Sequence, residues 1–209
     1  MSTTDRVEQR LRQGLLRGDY PPGAWLRQDD LAAELGVSKI PVREALQRLA
    51  AASLVTFEPN RGALVRPLTA ADAEEIFALR KAVEPALLRR AIGRHTIVDL
   101  ATAELALTSK GRPLTEANWQ FHHALYAAAG WPRAIAVVET LHAAVAPYVL
   151  LYTEGLGGAA HSDAEHQQLL EYCRGADARS AVRVLRVHIR AAADALADYL
   201  SGRPTAAAD

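Results

Sequence analysis

Apolar residues change their spacing along this 209-residue chain. Val7, Leu11, Leu15 and Leu16 recur at the three- and four-residue intervals of an amphipathic helix. The run GDYPPG, Gly18–Gly23, ends that helix. A second helix fits from Asp29 and Asp30, acidic residues at its positive end, to Leu35, with Gly36 as its stop. Ser38 is an N-cap for a third helix reaching about Ala52, and Pro41 sits in its first turn, where a missing N–H costs nothing. Two β-rich runs follow, LVTFE (Leu54–Glu58) and ALVRP (Ala63–Pro67), joined by the turn sequence PNRG (Pro59–Gly62). Helix, helix, tight turn, helix, hairpin is the order of a winged helix-turn-helix.

From Thr69 onward the period is helical throughout. The segments are Thr69–Arg94, Ile97–Thr108, Thr115–Ala129, Arg133–Tyr152, Ser162–Arg174 and Asp177–Ser201. Short Gly- and Pro-bearing breaks separate them, which predicts an antiparallel bundle. The expected fold is therefore mainly α: a winged helix-turn-helix over residues 1–67 and an all-helical bundle over residues 68–209.

Half the residues are hydrophobic, enough for a packed core. One cysteine, Cys173, excludes a disulfide framework and fits a reducing compartment. The opening residues MSTTDRVEQRLRQGLL lack the apolar centre of a signal peptide, and no run approaches the ~20 apolar residues of a membrane helix. A soluble, cytoplasmic protein with no membrane association is the expectation. Net charge is zero, divided unevenly: residues 1–67 carry ten Lys and Arg against eight Asp and Glu, a net +2. That small basic excess is compatible with nucleic acid without requiring it.

A recognition helix lies in the major groove with its first turn near base edges and phosphates, which explains the polar, basic start at Ser38. Ser38 offers its hydroxyl or backbone N–H to phosphate. Lys39 and Arg43 are four apart and share a face, and Arg43 presents paired donors suited to guanine O6 and N7. Ala45, Leu46 and Leu49 face away, toward the second helix, and Arg61 stands at the hairpin tip. Taken alone, the helix also reads as an ordinary amphipathic surface helix; the turn before it and the hairpin after it favour DNA. The stretch Leu26–Val65, with its GVS…PVREAL core and the GDYPPGAWL lead-in, resembles the DNA-binding domain of the GntR superfamily. The resemblance implies DNA contacts at Lys39 and Arg43 and a minor-groove element at Arg61–Gly62. Lys39 stands where arginine is common, which replaces a bidentate contact with a point charge.

All seven histidines lie beyond residue 94. His166 lies nine residues before Gly175 and His188 eleven after Asp177, so in an antiparallel hairpin they differ in level by only ~3 Å. His122 and His142 are level by the same reasoning. Three imidazoles meeting in a bundle core suit Zn²⁺, Ni²⁺ or another borderline divalent ion, although a single histidine on an apolar face is more often a core residue. FALRKAVEPALLRRA (Phe77–Ala91), NWQFHHALYAAAGWPRAI (Asn118–Ile135) and EHQQLLEYCRGADARSAVRVLRVHI (Glu165–Ile189) resemble the FCD ligand-binding domain of the FadR branch of that superfamily. The resemblance implies a divalent metal held by Asn118, His122, His166 and His188. Asparagine stands where aspartate is usual, so the set carries one negative charge fewer.

The same resemblance implies a small organic-acid effector beside the metal. Arg80 then has two readings, a clamp on the effector carboxylate or a surface arginine paired to Glu84 at i+4. Tyr148 and Tyr152, also four apart, line the cavity or merely pack. The expected protein is a transcriptional repressor that binds an inverted repeat of double-stranded DNA as a homodimer. Two alternatives stay open: a metal-free regulator whose bundle serves only dimerisation, and a zinc-dependent hydrolase. The second lacks a carboxylate clearly placed as a general base beside the histidines.

Overall fold

The computed structural model describes residues 2–59, 61–108, 114–155 and 159–202, with backbone alone for 149–155 and 159–161. Helix α1 (Thr3–Arg17) opens on a capping box in which Ser2 and Asp5 exchange side-chain and backbone hydrogen bonds. It buries Val7, Leu11, Leu15 and Leu16 as their spacing predicts, and Gly18 closes it in the left-handed conformation. Helix α2 (Gln28–Leu35) ends at Gly36, φ +63°, and α3 (Lys39–Ala51) starts three residues later behind Ser38. The hairpin is β2 (Val55–Glu58) and β3 (Gly62–Val65), antiparallel with Thr56 opposite Leu64.

The strand β1 (Trp25–Leu26) completes a three-stranded sheet of order β1-β3-β2, with Trp25 opposite Leu64. Gly62 is buried at this junction. Its φ is +123°, and an added Cβ would stand 2.1 Å from the Leu26 carbonyl oxygen, so only glycine lets the wing pass β1.

Ala45, Leu46 and Leu49 of α3 are fully buried. Helix α3 packs on α2, as expected, and more extensively on α1. Thr4 Oγ1 donates to Glu44 Oε2 at 2.7 Å and Arg48 pairs with Asp5 at 2.9 Å across the α1–α3 contact.

The bundle comprises α4 (Ala70–Ala91), α5 (Ile97–Thr108), α6 (Leu114–Ala127), α7 (Pro132–Gly155), α8 (Ala159–Arg174) and α9 (Ala178–Leu200). Thr69 and Asp72 cap α4 with a second capping box, and Asp177 caps α9 by accepting from the Ser180 N–H. Helix α4 packs mainly along α9, α5 along α6, and α8 along α9. The boundary expected near Pro67–Thr69 falls between β3 and α4. Yet α1 crosses it, packing on α6 and α7, with Arg12 donating to Thr140 Oγ1 at 3.2 Å. Among the described residues no helix is long and apolar enough to cross a membrane.

Candidate nucleic-acid interface and candidate metal centre

The tight turn at Gly36 points the first turn of α3 outward, with Ser38, Lys39 and Arg43 all exposed. Ser38 makes no side-chain cap bond, so its hydroxyl is available to a ligand. Arg43 has no ion-pair partner among the described residues. Lys39 Nζ is 2.5 Å from Asp29 Oδ1, with both side chains largely in solvent. Ile40, which sequence reasoning passed over, is 61% exposed between them, where an apolar side chain suits a thymine methyl. Lys39, Arg61, Trp25, Arg27, Gln28 and Asp29 border an open groove of about 510 Å³, shared with Asp30. At the wing tip Arg61 lies over the Trp25 ring, 5.6 Å from its centroid, and pairs with Glu58 at 3.3 Å. Trp25 and Arg27 carry no local signal; the pairing of β1 with β3 brings them to this face.

In the bundle, α6, α8 and α9 bring His122, His166 and His188 together. Each offers a ring nitrogen within 4.8 Å of the other two. All three are buried, and Nε2 of His122 and of His166 has no hydrogen-bond partner among the described residues. Burial, then the neighbouring imidazoles, lowers the pKa of both rings well below the ordinary histidine value. Neutral imidazoles with unshared lone pairs are what a metal needs.

Hydrogen bonds on the far side of two rings settle their tautomers. Tyr126 Oη donates to Glu84 Oε2 at 2.7 Å, so its oxygen accepts from His122 Nδ1, 3.3 Å away. His188 Nδ1 donates to Glu165 Oε2 at 2.9 Å. Both bonds leave Nε2 as the lone-pair nitrogen, the arrangement of histidines that ligate metals. The sequence offered no carboxylate clearly placed as a general base beside the three histidines; Glu165 stands there instead as the hydrogen-bond partner of His188. From α8 it reaches His188 of α9 across the helix pair, as the His166 ring does, 4.6 Å from that of His188.

His142 sits beside the triad, its ring 5.4 Å from His122, and Nε2 lies 3.3 Å from Glu84 Oε1. Burial, with the Arg80 charge, lowers it to about 4 despite the pull of Glu84. Glu84 is fully buried. Burial pushes its carboxyl up, but Arg80 and His142 together outweigh that and hold it below the usual carboxylate range. Arg80 is 3% exposed and donates from Nε to Glu84 Oε1 at 2.5 Å. The i+4 pair therefore exists, but inside the bundle and not on its surface.

Asn118 is half-buried, one turn before His122, and shares a small cavity wall with Trp119, His142 and Leu16 of α1. Tyr148 accepts a hydrogen bond from the Leu68 N–H at 2.7 Å and packs on Tyr199, in the seam between the two regions. The side chain of Tyr152 lies outside the described residues. His123 is exposed, and His95 Nε2 meets the Leu125 carbonyl at 2.8 Å.

The chain is similar to known proteins over both regions. Residues 3–65 match bacterial regulatory proteins of the gntR family, and residues 75–191 match the FCD domain. The gluconate operon transcriptional repressor of Bacillus licheniformis is 37% identical over 101 residues, 48% of this chain and 41% of that protein. The chain thus spans less than half the length of that relative. The HTH-type regulator McbR of Escherichia coli is 30% identical over 155 residues, 70% of each chain. The solved structure of E. coli McbR/YncC superposes with TM-score 0.84 over 95% of this chain and 99% of that one, at 24% identity, a likeness of fold. A GntR-family structure from Rhodococcus sp. RHA1 is 26% identical with TM-score 0.75, over 94% and 98% of the two chains. A reading head of one known kind joined to a bundle of another places the chain in the gntR family of bacterial regulatory proteins, with an FCD domain, as a DNA-binding transcriptional regulator and not an enzyme.

Proposed function

We propose that this chain is a repressor that binds an inverted repeat as a homodimer in the cytoplasm and answers to a small organic acid bound beside a divalent metal in the bundle. The observation that carries the reading is the set of three buried imidazoles whose ligand atoms lie within 4.8 Å of one another. His122, His166 and His188 would hold Zn²⁺ or Ni²⁺ through nitrogen, with Asn118 adding a neutral oxygen. A bound ion supplies a positive charge and an open coordination position for a carboxylate. The acid reaches Arg80 only by sharing its guanidinium with Glu84.

The route to DNA runs through α1. Leu16 lines the same small cavity as Asn118 and His142, while the rest of α1 carries α3. Filling the cavity side of the bundle displaces α1 and with it the recognition helix. The effector must therefore bind one arrangement of the two regions better than the other. Tyr148, bonded to the Leu68 N–H ahead of α4, ties the seam as well. On the DNA, Arg43 reads a base edge while Ser38, Lys39 and Arg61 meet the backbone and minor groove beside the glycine-shaped turn at Gly62.

Fluorescence anisotropy on a fragment of the chain's own promoter region tests this reading. Loading with Zn²⁺ or Ni²⁺ and adding small hydroxy- and dicarboxylic acids is expected to shift the affinity for wild type and leave His166→Ala/His188→Ala unmoved. Arg43→Ala is expected to weaken binding by about 1–3 kcal/mol and relax specificity at one position. Absence of DNA binding under every condition would overturn the proposal.

A further inference from the structure

The DNA-reading face carries a carboxylate at its leading edge. Asp29, in the first turn of α2, is exposed, and its Oδ1 stands 2.5 Å from Lys39 Nζ. The tip of a lysine at the first position of α3 therefore marks how far out the carboxylate reaches. Both side chains line the open groove shared with Trp25 of β1 and with Arg61 at the wing tip. Asp29 has no other partner among the described residues, so its second oxygen can take a donor. An exposed ion pair adds little to folding stability, which therefore does not account for a negative charge on a face turned toward a polyanion.

Docking of α3 into the major groove takes that carboxylate out of water. Phosphate repels it, and a carboxylate that loses its hydration without gaining a donor weakens binding. Lys39 offsets part of the charge and keeps two of its three N–H donors for phosphate. What remains is an acceptor beside the base edges. Guanine O6 and N7 and thymine O4 are acceptors themselves and repel it. Adenine offers its N6 amino group but sets the N7 acceptor next to it. Cytosine offers its N4 amino group with no acceptor beside it on the major-groove edge, and it is the base that acidic side chains suit.

We infer that Asp29 is a specificity-determining residue: it accepts from the N4 amino group of one cytosine in each half-site, and Lys39 holds it in place. The inference rests on the DNA reading above and adds a second base position to the one read by Arg43. The two positions are opposite in sense. Arg43 donates to a base edge and Asp29 accepts from one, so each rejects the bases that the other favours.

Selection from a randomised duplex pool by the full chain, with and without Zn²⁺, tests it when followed by anisotropy on the enriched sequence and its single-base-pair replacements. Wild type is expected to enrich a half-site with one cytosine whose replacement by any other base weakens binding ~10-fold or more. Asp29→Ala is expected to lose that preference and keep the one that Arg43→Ala loses, while the far-UV circular dichroism stays that of wild type. Asp29→Asn is expected to prefer adenine at the same position, because an amide pairs with N6 and N7. An Asp29→Ala chain that binds every sequence more tightly by the same factor would reduce Asp29 to an electrostatic brake and overturn the inference. Unchanged preference at every position in that variant would overturn it too. A wild-type chain that enriches no motif would instead overturn the DNA reading on which the inference rests.

Discussion

Glu84 holds the interior of the bundle together electrostatically. Its two oxygens take bonds from Arg80 and Tyr126, with His142 3.3 Å away, and it is fully buried. Removing one partner of a buried ion pair leaves the other charge uncompensated, which costs about 3–5 kcal/mol. Glu84→Ala is therefore expected to lower the urea-unfolding free energy by that amount, and Arg80→Met/Glu84→Leu to recover most of it. A Glu84→Ala loss under 1 kcal/mol would contradict the pair's structural part. His142 gives a pH dependence. Its folded pKa is lowered to about 4 from the ordinary 6.5, so the unfolded chain binds the extra proton first. The stability it contributes is full above pH 6.5 and is lost as pH falls toward 4. The metal-free protein is expected to melt several degrees lower at pH 5 than at pH 7, and His142→Gln to lose part of that difference.

The wing depends on an element two residues long. Strand β1 exists only because Leu64 and Ala63 pair with Trp25 and Leu26. No window of sequence holds both partners, so periodicity could not disclose it. Gly62→Ala forces φ +123° on a residue with a Cβ and drives that carbon into the Leu26 carbonyl. The substitution is expected to cost about 2 kcal/mol or more and to weaken DNA binding, read by urea unfolding and anisotropy. Wild-type stability in that variant would contradict the assigned strain. The helices, by contrast, were legible. Each carries its own period, and Ser38, Thr69 and Asp177 mark three of their starts. His166 and His188 were legible for the same reason, since two antiparallel helices and a known rise fix their relative level. Glu165 was not, because its bond to His188 crosses between helices and depends on how α8 and α9 are turned against each other. Arg80 and Glu84 were legible as an i+4 pair, but their burial depends on the helices packed around α4.

In the whole molecule, α1 joins two regions that the sequence reads as separate. Its Val7, Leu11, Leu15 and Leu16 lie in one continuous core shared by both regions, and it packs on α3 as well as on α6 and α7, with Arg12 bonded to Thr140. A change beside Asn118 and His142 therefore has a packed path to α3 through α1. All of this assumes that the three imidazoles take a ligand. Elemental mass spectrometry after equilibration with Zn²⁺ or Ni²⁺ and gel filtration measures that directly. Wild type is expected to retain one ion per chain and His166→Ala/His188→Ala none; wild type emerging without metal, or the variant retaining as much, would contradict it.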